Sequence, residues 1–402
     1  MRILKQYLRW ASATILAGST ACAGCGEAAH PTPGGGGAAS IPDAGSDSGS
    51  DAGADAGSDS GLDAGGDSGI EAGSDAGTSL VQTPGKYQSA CDGSGAVALD
   101  ATHFLDVNDE SQVLRIYTQG AQAAPVQELD ISAGIGLATD DEADLEDAAR
   151  IGDRVYVVGS HGRDKGGKLE ASRYKFFGID LAGAAPNLTM KVAGTYGDLL
   201  VDMLDSAQWV TPDAAVIALL KSRSKLGNGT VASLAPKDQG TCIEGLAALP
   251  SASTPGRLVL GFRNPQEGAT AILVTLLNAD AVLAGAHAQL GEAIRFDLGG
   301  NGIRGMAWSA MHHSLLFTSG PHDATDGPYA LWRWSGVAGS APVKVQDITA
   351  PGAGAPEAVV PYPGTLDVQV LFDLGSFQIG GSDCKDVPVG SQYFTDVILH
   401  VP

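Results

Sequence analysis

The chain has 402 residues with 46 acidic against 24 basic side chains, a formal net charge of −22. That balance argues against nucleic acid and against peripheral binding to anionic lipid, both of which reward a basic face. The absence of long apolar helical runs, with 56 glycines and many short alternating segments, points to an all-β domain.

Residues 1–25 read as a lipoprotein-type signal peptide: Arg2, Lys5 and Arg9, then a modest apolar run over 10–18, then small residues leading to Cys22 and Cys25. Cys25, preceded by Ala23 and Gly24, fits lipidation better, with Cys22 the alternative and a secreted product the other outcome. The expectation is an exported monomer, lipid-anchored in the bacterial cell envelope at the outer membrane.

Residues 26–85 contain no Lys or Arg, and from Asp43 to Thr78 they repeat an acidic, Ala/Ser, Gly, any tetrapeptide nine times. Such a segment has nothing to bury, so it reads as a disordered, self-repelling tether of about 40 Å mean span. Its ten acids and the three basic residues of the leader leave −15 on residues 86–402.

Residues 86–402 carry one recurring phrase, a polar residue, a small residue and an apolar strand: Ser94-Gly-Ala-Val, Glu146-Asp-Ala-Ala, Glu244-Gly-Leu-Ala, Arg304-Gly-Met-Ala and Glu357-Ala-Val-Val. After each come alternating strands such as Arg154 to Gly159, Leu258 to Phe262, Ser314 to Thr318 and Val368 to Phe372. Repeats of this length predict a β-propeller. The 98-residue gap between Glu146 and Glu244 is about two repeats, so six blades are expected. Strands over 214–220 and 231–234 and a short helix over 199–206 would form a degenerate unit there; seven blades or another β-solenoid are the alternatives. The strand missing from the last blade would come from the residues near Tyr87. Cys91 precedes the first repeat and Cys384 the last strand, ends that ring closure brings together. A Cys91–Cys384 disulfide with Cys242 free and buried is therefore expected, other pairings remaining open.

The blocks Glu142-Ala-Asp-Leu-Glu146, Gly159-Ser-His-Gly-Arg163, Cys242-Ile-Glu-Gly-Leu-Ala247, Gly261-Phe-Arg-Asn-Pro265 and Leu298-Gly-Gly-Asn-Gly-Ile-Arg304 resemble, in order, those of an uncharacterised bacterial family of unknown function with E-A-D-I-E-G, G-S-H, N-I-E-G-L-A, L-R-G-P and L-G-G-x-G-I-R. The resemblance covers roughly residues 90–375. It implies a propeller distantly like phytase-like and esterase-like propellers, and no established activity. The chain departs from the pattern at Cys242 (Asn in the family), Asp147 (Gly) and Phe262-Arg263-Asn264 (Leu-Arg-Gly).

If the repeats superpose, Ser94, Glu146, Glu244, Arg304 and Glu357 ring one mouth of the channel. Glu146, Glu244 and Glu357, with Asp144 close by, are hard oxygen ligands that would suit calcium. The competing reading pairs them with one another and with Arg304. His161, on a loop leaving a strand near Arg163, Lys165 and Lys168, is a candidate general base. Arg263 and Arg304 are candidate anion clamps. Gly300-Asn-Gly-Ile-Arg-Gly305 matches a dinucleotide fingerprint by letter, but strands rather than a helix follow it. His312-His313 lacks partners at zinc spacing. Two functions fit: a tethered, non-catalytic binding platform for a protein or glycan, and a calcium-dependent hydrolase of an ester, lactone or phosphate. Salt bridges filling the mouth would argue against the hydrolase, and an exposed apolar patch on one propeller face would favour binding over it and over a third reading, a purely structural envelope component.

Overall fold

A computed structural model describes residues 84–402, apart from 121, 139–140, 252–255 and 353. The expected signal peptide, the lipidation candidates Cys22 and Cys25, and nearly all of the tether lie outside the described residues. Within them, five sheets each run from an inner to an outer strand, antiparallel throughout except where Gln122–Ala123 pairs parallel to Lys86–Gln88 at the outer edge of the fifth. Blade 1 is Gly95–Ala98, His103–Val107, Val113–Thr118 and Gln127–Asp130. Blade 2 is Leu145–Ile151, Arg154–Gly159, Phe176–Ala184 and Asn187–Tyr196. Cys242–Ala248, Leu258–Asn264, Thr270–Leu276 and Leu290–Asp297 make blade 3; Gly302–Ser309, Ser314–Gly320, Tyr329–Trp334 and Val343–Ile348 make blade 4. Blade 5 combines Ala355–Pro361, Asp367–Asp373 and Tyr393–His400 with Lys86–Gln88 from the other end of the chain. Each inner strand packs against the inner strands before and after it, and that of blade 5 against that of blade 1, closing the ring.

Strands of a propeller blade are apolar on both faces because each face meets a different neighbour. Val97 and Leu105 join Val155 and Val157 of blade 2, whereas Ala96 and Phe104 join Val360 and Leu371 of blade 5. Likewise Leu315 and Phe317 pack on blade 3 while Leu316 packs on blade 5. Five apolar clusters thus fill five interfaces.

The ring has five blades, not the expected six. Residues between Tyr196 and Cys242 form a helical insert, with helix α1 at Leu199–Leu204 and helix α2 at Ala214–Ser224. The apolar run over 214–220 is helical because it continues through Lys221 and Arg223, both good helix formers, and because Asp213 Oδ1 accepts the Val216 N–H at 3.1 Å. Residues 231–234 are a loop ending in one 3₁₀ turn, Ala232–Leu234, rather than a strand. Leu199, Leu200, Met203, Val216, Ile217 and Leu220 enlarge the cluster between blades 2 and 3. The buried Arg163 guanidinium ties the insert down, donating to the carbonyls of Ser224, Lys225 and Gly229.

Two devices hold the ring shut. The first is peripheral: Tyr87 packs among Phe104, Tyr117 and Phe394, donates from Oη to Asp396 Oδ2 at 2.8 Å, and the structure joins Cys91 to Cys384 in a disulfide, leaving Cys242 a buried free thiol. The second is axial. Asp147, 1% exposed, accepts the N–H of Ala148 on Oδ1 at 2.7 Å and those of Leu246 (2.6 Å) and Met306 (3.1 Å) on Oδ2, joining blades 2, 3 and 4. Around it the inner strands approach so closely that a Cβ on Gly305 would lie 1.6 Å from the Glu357 carbonyl oxygen.

Asp147→Ala is expected to strand those buried amides and cost on the order of 3–5 kcal/mol, read by chemical denaturation, with Asp147→Asn intermediate. Reducing the disulfide opens a sequence separation of 293 residues; it should lower stability by about 2–5 kcal/mol.

Candidate functional site at the channel mouth

Four of the five repeat-position polar residues share one backbone device. Register with the second strand slips between Leu145 and Asp147, Ile243 and Gly245, Ile303 and Gly305, and Pro356 and Ala358. Glu146, Glu244, Arg304 and Glu357 are therefore the extra residues of four β-bulges. A bulge releases its residue from the alternation that sends side chains to blade faces. The side chains of Glu244, Arg304 and Glu357 consequently meet across blades. In blade 1 Ser94 lies just before the strand and exchanges hydrogen bonds with Asp109.

Arg304 lies between Glu244 Oε2 (3.1 Å) and Glu357 Oε1 (2.6 Å). Arg263 donates from Nη1 to Glu244 Oε1 at 3.0 Å and from Nε and Nη2 to the carbonyls of Pro321 and Asp323. The Cys242 thiol also donates to Glu244 Oε1, at 3.3 Å. Asp144, the fourth candidate ligand, is paired with Arg173 at 2.7 Å. Of the four expected metal ligands, only Glu146 has no ion-pair partner among the described residues. Both expected anion clamps are occupied by carboxylates. Glu146, Cys242 and Glu244 do place ligand atoms within 4.8 Å of one another. Calcium fits this trio poorly, because Glu244 already faces two guanidinium groups and the third member is a soft thiol.

His161 is fully buried at φ +50°, not on a solvated loop. Its Nδ1 lies 2.8 Å from the Gly159 carbonyl, its ring meets the edge of Tyr174, and Nε2 has no hydrogen-bond partner. Burial pulls its pKa down to about 4. It is thus a neutral imidazole, with no hydrogen bond to the mouth carboxylates among the described residues. The expected basic cluster also disperses, Arg163 into the insert and Lys168 onto Glu170.

Sequence reasoning missed Asp92, Asp109, Asp373 and Arg173. Asp92 stands two residues before Ser94 as Asp144 stands two before Glu146, so extending the repeat alignment backwards would have found it.

Acids outnumber bases at the mouth, and proton affinities follow. Glu244 is held below the ordinary carboxylate range because Arg263 and Arg304 outweigh its burial. Burial, reinforced by Asp373 and Glu244, raises Glu357 to about 8 even with Arg304 beside it. Asp144 rises to about 7, chiefly through burial against the pull of Arg173. Burial also lifts Glu146 well above its usual value, and Asp144, Glu244, Asp109 and Glu357 add to it. Asp144, Glu146 and Glu357 thus hold their protons more tightly than exposed acids do.

The raised groups make stability depend on pH. Between the ordinary carboxylate value and about 8 the folded chain holds more protons than the unfolded one, so their contribution is full at low pH and is lost as pH rises through this window. Glu244 runs the other way, its contribution failing in acid. In metal-free buffer the Tm should peak near pH 5 and fall by about 5 °C by pH 8.5. Glu146→Gln should raise the Tm at pH 8 and flatten this slope; an unchanged profile would show that Glu146 carries no such penalty.

Residues 203–355 match the model of a family described as "Protein of unknown function (DUF3616)". No curated protein matches the sequence. Among solved structures, the chain is similar to Myxococcus xanthus glutaminyl cyclase (12% identity, TM-score 0.40, 81% of this chain and 97% of that one). It is also similar to the PQQ-bound aldose sugar dehydrogenase of Streptomyces coelicolor (11%, 0.36, 79% and 99%). A third is the β-propeller domain of Myceliophteria thermophila Cps50 (9%, 0.35, 81% and 100%). At these identities and TM-scores no residue role passes from them to this chain.

Proposed function

We propose that the propeller is a non-catalytic binding platform, held at the outer membrane by a lipid on Cys25 (or Cys22) and the acidic tether. Its mouth receives a cationic group of a protein or glycan. The observation that carries this reading is the bonding of Glu244, Arg304, Glu357 and Arg263 to one another, beside which Glu146 is only partly buried and has no ion-pair partner among the described residues. A hydrolase would need an open ligand set, a free anion clamp and a reachable base. Here the clamp arginines are spent on the candidate ligands, and His161 is enclosed. A partner's ammonium group would relieve the excess of acid at the axis, and Glu146 is not fully covered.

The test is a titration of the full chain with an octalysine peptide and with a deacetylated chitin oligomer, against their acetylated forms. Salt-sensitive binding of a cationic probe, weakened about tenfold in Glu146→Gln, supports the reading. Equal binding by wild type and variant would sink it. Calcium-dependent turnover of p-nitrophenyl acetate, a lactone or p-nitrophenyl phosphate that disappears in Glu146→Gln would replace it with the hydrolase.

A further inference from the structure

The seam between blades 1 and 5 holds acids that form no ion pair with an arginine among the described residues. Asp92 directly follows the disulfide-bonded Cys91, is 1% exposed, and neither carboxylate oxygen accepts a hydrogen bond from an N–H or from a hydroxyl among the described residues, its side-chain neighbour there being the carboxyl of Asp373. A buried carboxylate without a donor is strongly disfavoured, and buried charges survive by pairing or by binding metal. One oxygen of Asp92 lies within 4.8 Å of carboxylate oxygens of Asp109 and Glu110, which are equally close to each other. Asp373, at the end of the second strand of blade 5, is a further neighbour. It is also an acid, so it partners Asp92 only if a proton is shared between them. Lys385 Nζ reaches Glu110 Oε1 at 2.8 Å, but this pair is solvent-exposed and leaves both oxygens of Asp92 without a donor.

We propose that Asp92, Asp109 and Glu110 hold one calcium ion at the entry to blade 1, beside its joint with blade 5. All the donors are hard carboxylate oxygens, with no imidazole or thiol among them, which selects calcium over zinc. Lys385 is the one base within ion-pair distance of the trio among the described residues, while Arg304 and Lys237 act from farther off on Asp373. The ligands are already positioned: Asn108 Nδ2 donates to the Asp92 carbonyl at 2.9 Å and its Oδ1 accepts the Glu110 N–H at 3.0 Å, while Ser94 Oγ accepts the Asp109 N–H at 3.2 Å. On the blade 5 side, Leu374 N–H donates to the Cys91 carbonyl at 2.9 Å. The ion would therefore lie beside the disulfide, at the one interface where the two ends of the domain must meet. This site shares no residue with the proposed ligand contact at Glu146, and either can fail alone.

The experiment is calorimetry and thermal melting of the full chain, stripped with EDTA and titrated with calcium chloride. One ion per chain is expected, with a Tm rise of about 5 °C at calcium a hundredfold above its Kd. Asp92→Asn and Glu110→Gln should each weaken binding more than tenfold, while Lys385→Met and Glu146→Gln retain it. Glu110 is exposed, so its variant decides the matter even if Asp92→Asn fails to fold. The proposal is overturned if wild type binds no calcium, or if Glu110→Gln binds as wild type does. A wild-type Tm that does not respond to calcium would also overturn it.

Discussion

One carboxylate at the axis sets the terms for everything around it. Asp147 accepts three backbone N–H groups, two of them from blades other than its own. Burial raises its affinity for a proton, yet three donors need lone pairs, and a proton on the carboxyl would itself need an acceptor. The ionised form is the one this geometry accommodates, with hydrogen bonds to a charged group worth about 1.5–3 kcal/mol each. Such convergence is available only if the inner strands nearly touch. That closeness explains why the position after each polar residue is Gly95, Asp147, Gly245, Gly305 or Ala358: at the three glycines even a Cβ would collide with a neighbouring inner strand.

The same crowding accounts for the bulges. With small residues facing neighbouring strands, a polar side chain at regular pleat spacing would be driven into an apolar interface such as the cluster of Met306 and Ile303 with blade 3. The extra residue turns it out of the ladder instead. Once Glu244, Arg304 and Glu357 are so released, their pairing follows from the cost of burying like charges together. Arg304 bridges the two carboxylates that would otherwise repel, and Arg263 adds a second counter-charge to Glu244 while it anchors the 321–323 segment. Arg263 and Arg304 are thereby structural and electrostatic at once. What they do not offset, at Glu146 and at the blade 1–blade 5 seam, is where positive charge from outside would be most favoured.

The repeat, the polar ring and the strand donated from near Tyr87 were legible because each leaves a local mark: a polar residue, then a small one, then alternating apolar residues. The blade number was not. Spacing counts residues without saying what they form, and Ala214-Ala-Val-Ile-Ala-Leu-Leu220 is an apolar run that suits a buried strand or a helix until its capping Asp213 and its basic continuation are weighed. His161 misled for a related reason. A loop histidine flanked by Gly, Arg and Lys reads as solvated, but Arg163 turns inward to bind the insert and carries the loop under cover. The charge pairing between Arg263 on a second strand and Glu244 on a first depends on bulge geometry that no residue pattern prints.

Placing the insert between blades 2 and 3 rather than in a sixth blade has a consequence for closure. A sixth sheet would widen the axis, and the Leu246 and Met306 amides could no longer reach one carboxylate on blade 2. Five blades keep the axis narrow, while the helices supply extra apolar surface at a single interface without altering the ring. The other four interfaces gain no such helices. Of these, the one between blades 5 and 1 is the only joint without chain continuity from one inner strand to the next along the sequence. It is also where the disulfide, the four-ring aromatic group around Tyr87 and the Asp396–Tyr87–Gln369 hydrogen bonds are concentrated. A domain that invests this much covalent and polar structure at one seam would gain little by leaving the Asp92 carboxylate there uncompensated, and this is the physical ground on which a cation beside Cys91 is more economical than an empty cluster of acids.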